Sequence, residues 1–73
     1  MNTQSLAGIT AGETARVREI CCQGILRSRL LDIGLIPGTP VVCVQQGAGI
    51  AAYRIRGAVV ALRDRDAVKI TVE

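Results

Sequence analysis

Leu30-Leu31-Asp32-Ile33-Gly34-Leu35-Ile36-Pro37-Gly38-Thr39 is the stretch on which the reading of this chain turns. Just before and within it, Leu26, Leu30 and Ile33 recur at i, i+4 and i+7, a single helical stripe. A glycine directly after the stripe and a proline three residues beyond it mark a helix end. The spacing therefore predicts a helix from Gly24 to about Ile33, with Gly34 as a left-handed cap. In a cap of that kind Leu35 folds back onto Leu30. The start is less strongly marked, because Gln23 and Gly24 are only fair caps. Pro37-Gly38 then favours a turn.

Outward from this helix the period changes from 3.6 to 2. Upstream, Thr14–Ile20 reads as a strand with Ala15 and Val17 on one face and Arg16 and Arg18 on the other. Residues 1–13 read as an N-terminal strap that ends in a turn at Gly12. Downstream, Val41–Gln45 has apolar residues on both faces and is expected to be the best-buried strand. Gly47-Ala48-Gly49 breaks it. Ala51–Arg56 follows, with Tyr53 and Ile55 opposite Arg54 and Arg56. Gly57 turns the chain into Val59–Leu62. Arg63-Asp64-Arg65-Asp66 reads as a charged turn, and Val68, Ile70 and Val72 alternate with polar residues in a last strand. The expected class is all-β: about five short strands and one short α-helix. A sheet that small, with alternating faces, buries them by rolling into a partly open barrel of the SH3-like type.

Composition limits the chemistry. The chain has 73 residues, enough for one small domain (1–73) and little room for a deep catalytic cleft. Lys and Arg number 9 against 6 Asp and Glu, for a net charge of +3. There is no His, Trp or Phe, and Tyr53 is the one aromatic residue. Without histidine the usual general base near neutral pH and the commonest metal ligand are both missing. No nucleophile–base pair is visible, so no enzymatic activity and no cofactor are expected. No apolar run approaches the ~18 residues of a membrane span, so no direct membrane insertion is expected. The N-terminus lacks the charged and apolar regions of a secretory signal, and the cysteine number is odd. Both point to a reducing cytosol with free thiols.

The ordered series of motifs resembles the FeoA family, small cytosolic proteins associated with bacterial ferrous iron transport. The matching positions are Gly12, Val17, Ile20, Arg29, Leu30, Asp32, Gly34, Leu35, Pro37, Gly38, Val42 and Val44. The closing part matches at Gly57, Ala61, Leu62, Arg63, Ala67, Ile70 and Val72, so the resemblance runs from about Ser5 to Val72. Two departures stand out. Ile33 occupies a position that is usually Leu, and the loop after Gln46 is Gly-Ala-Gly-Ile, where relatives often carry proline and polar residues. The resemblance implies an SH3-like barrel without catalytic residues. It also implies a partner, the cytoplasmic part of the membrane transporter FeoB. The same domain type occurs fused to iron- or manganese-dependent repressors, which implies a regulatory interaction module as the alternative.

Several residues invite a sharper reading. Cys21, Cys22 and Cys43 lack the CxxC spacing of a zinc site, so no metal is expected and burial is the default. Cys22 is expected at the surface and open to oxidation. Arg16/Arg18 and Arg54/Arg56 place two guanidinium groups on one strand face, which suits either an acidic partner or ordinary solvation. A nucleic-acid-binding barrel needs aromatic platforms, and Tyr53 shares its face with Ile55, so nucleic acid is not expected. Leu31 lies off the helical stripe and close to Arg27 at about 100° per residue. Either Leu31 covers the N-terminal strap, or Leu31, Arg27 and nearby Ile36 form a partner-binding surface. Gly34, Pro37 and Gly38 are expected to serve the backbone path.

Overall fold

The computed structural model describes residues 4–73. The chain order is β1 (Gln4–Ser5), β2 (Thr14–Ile20), α1 (Gly24–Asp32), β3 (Pro40–Gln46), β4 (Ile50–Ile55), β5 (Ala58–Arg63), α2 (Asp64–Ala67) and β6 (Ile70–Val72). The strands form one antiparallel sheet in the order β1-β6-β2-β3-β4-β5. The sheet is bent around a single interior and does not close, because β1 and β5 remain its two ends. This is the expected partly open barrel, with six strands in place of five.

The helix end is a Schellman cap. Leu35 N–H donates to the Leu30 carbonyl at 3.0 Å and Gly34 N–H to the Leu31 carbonyl at 3.0 Å. Gly34 has φ +98, and a Cβ there would stand 2.7 Å from Cδ of Arg56. Leu30 and Leu35 are both buried in the core. Burial stabilises each such side chain by about 1.5–3 kcal/mol. The following loop is stitched to β2: Gly38 N–H donates to the Val17 carbonyl at 2.7 Å, and Val17 N–H to the Thr39 carbonyl at 2.9 Å.

Four local expectations change. Strand β3 is buried on one face only: Val41 and Cys43 are fully inside, whereas Val42 is half-buried and Val44 is exposed. A one-sheet barrel has a single interior, so the outer face of β3 meets solvent even where it is valine. A bulge between Cys43 and Gln45 also leaves Val44 and Gln45 facing outward together. The Arg63–Asp66 turn is the start of the short helix α2, whose first turn carries Asp64 and Asp66. This turn places Ala67 in the core and Val68 outside, so the last strand begins at Ile70. Arg56 leaves the strand and sits with Gly57 in a two-residue turn, at φ 52 and 85. Positive φ at both positions is the type I′ hairpin geometry.

Of the N-terminal strap, residues 1–3 lie outside the described residues. The rest pairs Gln4 with Val72 and Ser5 with Thr71, then buries Leu6 and Ile9. Tyr53 reaches under it, donating its phenol to the Leu6 carbonyl at 3.4 Å. At the strap's end, Thr10 donates N–H and Oγ1 to the Glu13 carboxylate at 2.6 and 2.7 Å. These bonds hold the Glu13 carboxyl below its usual range.

Gly34→Ala is expected to cost roughly 1–2 kcal/mol in urea unfolding, from the left-handed backbone alone. The double variant with Arg56→Ala relieves the clash and should keep that backbone cost; an unchanged midpoint in the double variant refutes the cap. Burial pushes the Tyr53 phenol above its ordinary value. A raised folded value means stability that is full below the unfolded value, near 10, and lost as pH rises beyond it. Phenolate absorbance should therefore appear together with loss of circular dichroism at alkaline pH. A free titration at the ordinary value, with the fold intact, would contradict the buried phenol.

Candidate protein-docking surface

Helix α1 lies between β2 and β3 in sequence and carries Arg27 and Leu31; Gly34, Ile36, Pro37 and Gly38 follow it in the loop toward β3. Its inner stripe is Leu30, buried, with Leu26 and Ile33 half-buried beside the core. Leu31, off that stripe, is also half-buried and packs against the core. Arg27 donates from Nη1 to the Ile20 carbonyl at 3.0 Å, which ties the helix to the end of β2. It borders a shallow cleft with Glu19, Cys21, Cys22 and Gln23. Ile36, 39% exposed, borders a different cleft with Pro37, Gly38, Pro40 and Arg56. Arg27 and Ile36 thus line separate depressions, one beside the start of α1 and one beyond its end, with Leu31 between them in sequence.

The structural residues have clear local reasons. Gly38 has φ +94, and its carbonyl accepts from Nη1 of Arg16 at 3.0 Å. Pro37 precedes it on the exposed rim of the same loop.

Strands β2 and β4 both flank β3, so Arg16 and Arg54 share the outer face of the barrel, but the expected Arg54/Arg56 pair does not form there, because Arg56 lies in the turn after β4 with its side chain against Gly34. Arg54 stands across from Val42 on one side and Val59 on the other. Arg16 stands across from Pro40, and on the β6 side it exchanges both backbone bonds with Glu73. A bulge between Val17 and Glu19 leaves Arg18 and Glu19 both exposed. The face is therefore a mixture of arginine and bare aliphatic surface.

Sequence reasoning missed Ile25, which is 78% exposed at the start of α1, and Val59, which is 57% exposed on β5. Ile25 had a signal, since it sits about 100° from Leu26 on the wheel. Val59 had none, because nothing in a valine pair says which member faces in.

Among the described residues no group of three or more His, Cys, Asp or Glu is placed to hold a metal ion. All three cysteines are free thiols; Cys21 is the exposed one, Cys22 is half-buried and Cys43 is inside. Tyr53 is 1% exposed, which closes it to stacking on a base. No helix among the described residues is long and apolar enough to cross a membrane.

A model of the FeoA domain matches residues 4–73. The chain belongs to the FeoA-domain family. This is a family of small SH3-like accessory domains linked to ferrous iron transport, and it is not a known enzyme family. No curated protein sequence matches the chain. Among solved structures, it superposes with TM-score 0.87 on an iron uptake regulatory protein (FeoA), at 20% identity, covering 100% of this chain and 97% of that one. It superposes with TM-score 0.88 on zinc-complexed Stenotrophomonas maltophilia FeoA, described as a unique procaryotic SH3 domain protein, at 20% identity, covering 96% and 89%. A manganese-dependent transcriptional repressor gives TM-score 0.86 at 22% identity, covering 96% of this chain and 40% of that one. These likenesses establish the SH3-like fold of this FeoA-domain chain.

The burial order predicts thiol chemistry. In native protein a thiol reagent should label Cys21 first and Cys22 more slowly, and should reach Cys43 only on unfolding. Peptide mass mapping gives the order; early labelling of Cys43 would contradict the core assignment.

Proposed function

We propose that this FeoA-domain protein is a cytosolic, non-enzymatic accessory factor of bacterial ferrous iron uptake that binds the cytoplasmic part of the FeoB transporter. The observation that carries this reading is the family match along residues 4–73. The S. maltophilia relative, discussed as a ferrous iron transport activating factor, supports the same role. The docking surface we assign is α1 with the loop after it: Arg27, Leu31 and Ile36, held in place by the cap at Gly34 and the turn at Pro37-Gly38.

Size favours a surface of that extent. The accessible surface is 4586 Å². A standard interface of about 800 Å² per partner would therefore take roughly a sixth of it. The binding mechanism follows from rigidity. A small barrel acts on its partner by binding one of the partner's states more tightly than another, and each tenfold preference shifts that balance by about 1.4 kcal/mol.

The second reading is a free-standing regulatory module for a metal-responsive repressor, favoured by the likeness to the manganese-dependent repressor. Co-purification from cell extract separates the two, since it recovers a transporter in one case and a transcription factor in the other.

Titration of the purified cytoplasmic part of FeoB with this chain tests the first reading. Leu31→Ala, Arg27→Ala and Ile36→Glu should each weaken binding about tenfold while the circular dichroism of the fold is kept. Unchanged affinity in all three, with the parent protein binding, moves the interface elsewhere. No binding by the parent protein rejects the transporter as partner.

A further inference from the structure

The barrel's open seam lies along β5. This strand is the last in the sheet order, so among the described residues one of its edges has no strand beside it. The two-residue turn makes Ile55 and Ala58 the hydrogen-bonded closing pair of the β4–β5 hairpin. Bonded and non-bonded pairs alternate along an antiparallel ladder. The N–H and C=O groups of Val59 and Ala61 and the N–H of Arg63 consequently point away from β4, along the free edge; the Arg63 carbonyl is the N-cap carbonyl of α2 and belongs to that helix. An edge of this kind is a template for another strand.

A groove of about 580 Å³ runs between this strand and α1. Leu26 and Ile33 line it from the helix and Val60 from the strand, all three half-buried. Its charged lining is Arg29, Arg63 and Arg65 against Asp66 alone. The wall is apolar where side chains of a docked strand would point inward, and cationic around it.

We propose that this groove receives an extended acidic segment of a partner protein as an added strand on β5. Apolar residues at every second position would pack on Leu26, Ile33 and Val60. Carboxylates at the positions between would meet the arginines. The backbone supplies affinity through the outward N–H and C=O of Val59 and Ala61 and the N–H of Arg63, and the charges set the choice of partner. A second copy of this chain fits worse. Pairing β5 with β5 would bring Arg29, Arg63 and Arg65 of one copy toward those of the other, between chains that each carry +3. A single-stranded nucleic acid could meet the arginines but would find no ring to stack on, since Tyr53 is inside. The inference stands apart from the transporter reading. It uses the flank of α1 that carries Arg29, across the helix from Arg27, and it names a chemistry rather than a protein.

The probe is a capped peptide of about seven residues alternating glutamate and valine, titrated to millimolar concentration into the isotope-labelled full chain and followed by NMR. Expected are shifts and slowed hydrogen exchange at the amides of Val59, Ala61 and Arg63, with methyl shifts at Leu26 and Ile33. Added salt should weaken binding. Arg63→Glu with Arg65→Glu should weaken it at least tenfold without loss of the folded spectrum. Ala61→Pro removes one outward N–H while leaving the β4 ladder intact, and should abolish the exchange protection. Four results would each overturn the proposal: no shifts at the β5 edge, equal binding of the peptide with lysine in place of glutamate, self-association through β5 in the absence of peptide, or displacement of the peptide by oligouridylate.

Discussion

The cap at Gly34 is the joint on which the molecule depends. It stops α1, returns Leu35 beside Leu30 in the core, and leaves a space that the Arg56 side chain crosses. Through that one residue the helix, the β4–β5 hairpin turn and the loop toward β3 are held together. The loop's own bonds to Val17 then fix the register in which β3 meets β2. A side chain at Gly34 would have to displace Arg56 and force a left-handed backbone on an L-residue. The helix has little else to define its ends. Its first residue follows Gln23, which makes no side-chain capping bond. The end of α1 is thus determined by the cap and its start by what remains of the chain after β2.

This dependence explains which parts of the fold were legible in the sequence. A positive-φ glycine followed by a proline is a local signal, and the local geometry follows it. Alternation in Thr14–Ile20 and Ala51–Ile55 is likewise local, and Ala15, Val17, Tyr53 and Ile55 all face inward. Errors arise where the decision is tertiary. Val42 and Val44 are as apolar as Val41, and only the absence of a second layer over the sheet leaves them outside. Gln4–Ser5 is a strand because β6 lies beside it, and two residues have no periodicity to reveal that. Ala67, rather than Val68, enters the core because α2 inserts a helical turn where alternation suggested a strand.

The candidate surface was less legible for the same reason. Arg27 and Leu31 lie off the inner stripe and Ile36 is close to them in sequence, which is all that the sequence offers for grouping them. The fold gives each a different neighbourhood: the Ile20 carbonyl, the edge of the core, and the cleft beside Arg56. The groove beside β5 could not be anticipated, because Leu26 and Val60 are far apart along the chain. Both surfaces nevertheless share a composition visible at the outset. Eight of the nine cations are arginine. A guanidinium sheds water more readily than an ammonium and lies flat on apolar neighbours, so arginine among exposed aliphatic residues suits a protein interface better than lysine would.

These facts constrain how such a domain can regulate anything. Its interior is a single cluster of buried side chains reaching from Leu6 to Val72, with Leu30 of α1 among them. Leu30 anchors α1 in that cluster, so moving the helix would open the interior, and a close-packed interior of this kind favours docking as a rigid body. Its influence must lie in the free energy of contact itself. The two flanks of α1 are fixed to the same rigid body, one beside Arg27 and the other beside Arg29. Two segments of a partner engaged on these flanks would be held at a set separation, and the second would bind at the high effective concentration created by the first. A domain that clamps two segments in this way favours whichever partner state brings them together. That bias requires neither a reacting group nor a moving part in the barrel.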